Sequence, residues 1–135
     1  MKKVIVSGLV AGFILIFLLV AGLYVTIWFF PGVAMQYFDP AFDTEPGRMR
    51  FYYLHPFVLS LALSWFWARF KGVLSGSFLT RGIEFALIYV MVAIFPMMWL
   101  LYSAMNVSFI LVSMWFVFAL VQALIAGLVF EKMNP

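Results

Sequence analysis

The sequence predicts an all-α, polytopic integral membrane protein, a bundle of four transmembrane helices forming a single transmembrane domain over residues 1–135. Two observations carry this. Apolar residues make up 67% of the chain and charged residues 10%, against roughly 45–50% and about 25% in soluble domains. The apolar residues also gather into four runs, 4–30, 51–70, 83–102 and 108–130. At about 1.5 Å of rise per residue each run can cross a hydrocarbon core of about 30 Å. The remainder is an outer loop, 31–50, a cytoplasmic loop, 71–82, and a tight turn, too little for a soluble domain. Mean hydropathy is +1.15.

The first run, Val4 to Phe30, is broken only by Ser7 and Thr26. Lys2-Lys3 ahead of it gives the look of a signal peptide, but the run is longer than an h-region and has no A-x-A site, so it is expected to stay as a span. The second run opens near His55-Pro56, where a proline in a first helical turn loses no hydrogen bond. The third holds Glu84 and Pro96. Pro96 is expected to free the Val92 carbonyl and bend the outer half of that helix. The fourth has Gln122 near its middle and stops at Glu131-Lys132-Met133-Asn134-Pro135.

Orientation follows from basic residues beside the spans. With the N-terminus inside, Lys2, Lys3, Arg69, Lys71, Arg81 and Lys132 are cytoplasmic and only Arg48 and Arg50 are outside. The expectation is a multi-pass protein of the cell inner (plasma) membrane with both termini cytoplasmic. Trp28, Tyr37, Tyr52, Tyr53, Trp99 and Tyr102 fall at outer span ends, and Trp65 and Trp67 at inner ones, as interfacial aromatic belts do. No internal repeat relates the four runs, which argues against an inverted-repeat transporter.

Few residues are suited to chemistry. The chain has no cysteine, which removes disulfides, thiolate metal sites and cysteine nucleophiles. His55 is the one histidine and the one candidate cofactor ligand, for haem or a pigment; an interfacial, hydrogen-bonded role competes with that. Glu84 is the only acid inside a span, three residues after Arg81, and the spacing predicts an Arg81–Glu84 ion pair at headgroup depth, with Arg69 or Lys71 as alternative partners. Asp39, Asp43 and Glu45 lack the spacing of a calcium loop and read as a solvated acidic stretch partly neutralised by Arg48 and Arg50. No triad, paired carboxylates, zinc motif or phosphate loop occurs, so no catalytic residue, no metal site, no cofactor and no enzymatic activity are expected. The scattered basic residues exclude a nucleic-acid partner.

Small residues point to close helix packing. Ala119, Gln122, Ala123, Ala126 and Gly127 share one face of the fourth run, Gly8 and Gly12 one face of the first, and Ser60 and Ser64 one face of the second. Without an aqueous hydrophobic drive, membrane helices associate where small side chains let backbones approach.

The stretch from Phe70-Lys71-Gly72 through Arg81-Gly82-Ile83-Glu84-Phe85, with Gln122-Ala123-Leu124-Ile125-Ala126-Gly127, resembles a set of small four-span prokaryotic membrane proteins of uncharacterised function. The resemblance covers roughly the C-terminal half and implies a four-span bundle without implying an activity. The functional expectation is a non-catalytic membrane protein acting through helix–helix contacts. Its partners would be membrane lipids and either other membrane subunits, with the chain as an accessory subunit, or further copies of itself. The alternatives are a small transporter or channel using Glu84 and Gln122, and a pigment or haem carrier through His55.

Overall fold

A computed structural model describes residues 1–42 and 45–135 of the chain. Among these residues there is no strand, and four long helices dominate: α1 (Lys2–Phe29), α2 (Met49–Phe70), α3 (Phe78–Ala104) and α4 (Phe109–Met133). Three of them, α1, α3 and α4, are long and apolar enough to cross a membrane. Of the expected bundle of four transmembrane helices, the all-helical fold and three helices of spanning length and composition are present. The helix α2 has 22 residues, enough length, but it is diluted by Arg50, Tyr52, Tyr53, His55, Ser60, Ser64 and Arg69.

Small residues decide which helices touch. A β-carbon on Gly8 would lie 2.8 Å from Leu61 Cδ2, and one on Gly12 would lie 2.6 Å from Phe57 Cδ1. Those two positions let α2 lie directly on α1. Ser7 Oγ is 2.8 Å from Ser64 Oγ, and both hydroxyls reach the Val4 carbonyl, at 3.2 and 2.7 Å. Ser60 donates to the Phe57 carbonyl at 3.1 Å. The polar groups of α2 that meet α1 are thus paired inside the protein, as a low-dielectric interior demands.

The helix α4 packs against α1, where Gly22 makes room for Phe118, and against α3, where Gly127 meets Gly82. The core sits toward the end that carries both termini, called here the terminal end; the other is the loop end. Ala11, Leu15, Leu63, Trp67, Phe85, Ala126 and Phe130 are all buried there. The rings of Trp67, Phe85 and Phe130 form a triangle with centroids 5.2, 6.2 and 6.1 Å apart, in the tilted and edge-on geometries that aromatic quadrupoles favour.

The bend expected at Pro96 takes a specific form. Residues Val90–Ile94 make a π-helical turn, in which the Phe95 N–H donates to the Val90 carbonyl five residues back. Pro96 has no N–H to offer the next turn, so the wide turn re-registers the helix just ahead of it. The following stretch, Phe95–Ala104, has no buried residue. Between it and α4 lies an apolar cleft of about 600 Å³.

At the loop end, the connection after α1 folds into short helical turns whose aromatic residues cover the start of α4. Tyr37, Phe42 and Trp115 cluster with centroids 5.7 to 6.4 Å apart. Trp115 Nε1 donates to Tyr37 Oη at 2.6 Å, and Ser108, which caps α4, also bonds Gln36 Oε1 at 2.7 Å.

Candidate functional site

The polar side chains of the bundle concentrate at the terminal end. Ser77 caps α3 by accepting from the Thr80 N–H at 3.4 Å, and Gly76, with φ +100°, supplies the left-handed turn before it. Arg81 comes one turn later and points into the bundle. Its Nη1 pairs with Glu131 Oε1 on α4, its Nη2 donates to the Lys71 carbonyl at 3.0 Å, and its guanidinium lies 5.6 Å from the centre of the Trp67 ring. Lys71 Nζ donates to the carbonyl and side-chain oxygens of Asn134, at 3.2 and 3.0 Å, and to the Pro135 carbonyl. Trp67 Nε1 donates to the Asn134 carbonyl at 3.0 Å. One network therefore ties the ends of α2, α3 and α4 together.

The expected Arg81–Glu84 ion pair is corrected by this geometry. Glu84 lies on the same helix but turns to the preceding loop, where its Oε2 accepts from the Ser75 N–H at 3.2 Å. Arg81 is drawn inward by Glu131, by a backbone carbonyl and by the Trp67 face together, and a single i,i+3 partner offers less. The Nε of Arg81 and the Oε2 of Glu131 are buried without hydrogen-bond partners among the described residues.

Of the packing positions singled out from the sequence, Gly8, Gly12, Ser60 and Ser64 come together at the α1–α2 contact. Gln122, Ala123, Ala126 and Gly127 are buried, and Ala119 is partly buried on the same face. Among the described residues Gln122 Nε2 has no hydrogen-bond partner. Glu84 and Gln122 are not brought into one site: the first serves a loop at the terminal end and the second is enclosed in the bundle.

His55 is exposed on the loop-end half of α2. Among the described residues no group of three or more His, Asp and Glu side chains is placed to hold a metal. Asp39 and Glu45 are exposed, and Asp43 lies outside the described residues. Tyr37, in the loop-end connection, has its phenol pushed above the usual tyrosine value by burial, while the hydrogen bond from Trp115 pulls the other way.

Sequence reasoning missed Gly22, Gly82, Trp67, Lys71, Glu131 and Asn134 as structural residues. Gly82 carried a readable signal, being a glycine inside a helical pattern, which is tolerated only where backbone approach repays it. Glu131 carried none, since it reads as the stop of a span. The cleft is lined mainly by Phe95, Met98, Trp99 and Tyr102 from α3 and by Phe109 and Phe116 from α4. No known protein family, curated protein or solved structure matches the chain.

Proposed function

We propose that the chain is a four-span inner-membrane protein with both termini cytoplasmic that acts without catalysis, through helix contacts within the bilayer, as an accessory subunit or a homo-oligomer. One observation carries this reading. Most of the polar side chains at the terminal end are engaged in structural bonds, Arg81 with Glu131, Lys71 with Asn134, Glu84 with Ser75 and Ser7 with Ser64, while the cleft between α3 and α4 is lined mainly by apolar side chains. The small-residue faces are already filled from within the chain, so the cleft between α3 and α4 is the surface left for a partner helix. Crossing by α2 is supported by the inward turn of Ser60 and Ser64, which are fully buried against α1, leaving apolar groups for lipid.

Single-cysteine crosslinking tests the proposal, because the chain has no cysteine of its own. A cysteine at Val117, which borders the cleft, should yield a crosslinked species in native membranes, and one at Phe17, on the far side of the bundle, should not. Equal behaviour of the two positions, with ion flux through the purified protein in vesicles, would replace this reading by transport.

A further inference from the structure

The register of α2 against α1 leaves a notch at the loop end. Ser7 meets Ser64, Gly12 meets Phe57 and Ser60, and the rings of Phe13 and Phe57 stand 5.1 Å apart. Continued along the antiparallel pair, this register sets Met49, where α2 begins, beside about Ala21. That is about eight residues, or roughly 12 Å, short of the end of α1 at Phe29. The other helices do not stop short. Gly22 meets Phe118, which carries the start of α4 to the end of α1, and the rings of Tyr102 and Phe109 pair at 5.9 Å where α3 and α4 join.

The exposure pattern agrees. Every residue from Met49 to His55 is exposed, so the first two turns of α2 are open to their surroundings. Phe17, one turn beyond Phe13 on the same face of α1, is 72% exposed. Arg48 and Arg50 mark this start of α2, both exposed, with the Arg50 guanidinium 5.2 Å from the centre of the Phe51 ring. Among the described residues neither arginine enters an ion pair. Glu45 meets Arg48 through the backbone, where the Arg48 N–H donates to the Glu45 carbonyl at 2.8 Å.

We propose that this notch binds the phosphate headgroup of an anionic phospholipid, with Arg48 and Arg50 as its cationic ligands and the acyl chain lying along the exposed Phe17 face of α1. The inference rests on the membrane reading of α2 given above. In that setting the two arginines lie below the outer ends of the three more apolar helices, where an uncompensated guanidinium is costly and must reach an anion or water. A phosphate at headgroup depth answers both charges, and guanidinium is suited to phosphate through paired N–H donors. The exposed Tyr52 and Tyr53 are residues that settle at the same depth.

The test uses the full chain in vesicles of phosphatidylcholine mixed with phosphatidylglycerol, with a fluorophore on Leu54→Cys. Quenching is compared between phosphatidylglycerol and phosphatidylcholine carrying a nitroxide high on one acyl chain. Phosphatidylglycerol should quench more than its bulk share predicts, and Arg48→Gln with Arg50→Gln should remove that excess, by about fivefold for each arginine near an anionic surface. Arg48→Lys with Arg50→Lys should keep most of it, which separates charge from misfolding. A second label on Ala62→Cys reports whether α2 lies in the bilayer. Aqueous exposure at position 62 would overturn the membrane reading itself. Bilayer exposure there with equal quenching by both lipids, or with an excess that survives the glutamine variants, would overturn the headgroup site alone. Loss of the excess on adding inorganic phosphate would show a site for free anions and would also overturn it.

Discussion

Gly82 and Gly127 bring α3 and α4 to backbone contact: a β-carbon on Gly127 would lie 3.1 Å from the Gly82 carbonyl oxygen and 3.1 Å from Phe85 Cδ1. The two directions of this contact are not equivalent. A β-carbon on Gly82 would instead meet the end of a flexible side chain, Leu128 Cδ2, at 2.6 Å, and that methyl can swing away. Gly127→Ala should therefore destabilise the fold by about 1–3 kcal/mol, as overpacking against fixed atoms does, while Gly82→Ala should be tolerated. Thermal unfolding of the two variants in mild detergent decides between this order and its reverse.

The terminal-end network makes a prediction about charge. Arg81 and Glu131 retain 18% and 10% side-chain exposure, so removing one partner leaves the other largely desolvated. Glu131→Ala should cost about 1–3 kcal/mol, and Glu84→Ala, which loses one exposed bond to the Ser75 N–H, much less. Arg81→Met combined with Glu131→Leu should be milder than the sum of its parts, because no unpaired buried charge remains. A double-mutant cycle by denaturant titration gives the coupling; additive losses would mean that the pair is held apart by water.

These contacts also mark how far the sequence could be read. The long helices α1, α3 and α4 were legible because a helix able to cross a membrane must be apolar over a full span, which leaves runs visible by eye. The small-residue faces of α1 and α4 were legible for the same reason, since a glycine or a central amide has no use toward lipid. Helix α3 begins five residues before its apolar run because Ser77 caps it and because Thr80 and Arg81 are tolerated near a helix end. The partner of Arg81 was not legible: within one helix Glu84 is the nearest acid, and only the α3–α4 contact, set by Gly82 and Gly127, delivers Glu131. Nor was the shortfall of α2, because run length says nothing about the level at which two helices meet.

The loop-end cluster predicts an alkaline transition. Burial favours the neutral phenol of Tyr37 over the phenolate, so its folded pKa lies above the ordinary value of 10.0. A group with a raised folded pKa contributes stability that is complete below its unfolded pKa and is lost as pH rises through the folded one. The connection over α4 should thus hold at neutral pH and loosen only above pH 10. Subtracting the phenolate absorbance titration of Tyr37→Phe from that of the parent protein should isolate one group ionising later than a free tyrosine. A difference curve centred below 10 would show that Tyr37 is solvated and that the contact with Trp115 does not persist in solution.

The central face of α4 separates packing from hydrogen bonding. Ala123 is fully buried and Val121, two residues away, is 40% exposed, so a phenylalanine at 123 must displace neighbours and one at 121 need not. Ala123→Phe should cost about 1–3 kcal/mol or more, with loss of monodisperse protein in mild detergent, and Val121→Phe should behave like the parent. Gln122 sits between them and makes the opposite case. Its Nε2 is buried with no partner among the described residues, so Gln122→Leu removes an unsatisfied donor, and the change should be neutral or stabilising. Destabilisation by Gln122→Leu comparable to that of Ala123→Phe would show that the amide does find a partner, a buried water or a second copy, and would move the weight of this face from steric fit to polar recognition. Equal tolerance of phenylalanine at 121 and 123 would go further and place the face against lipid, contrary to the packing of α4 on α1 and α3.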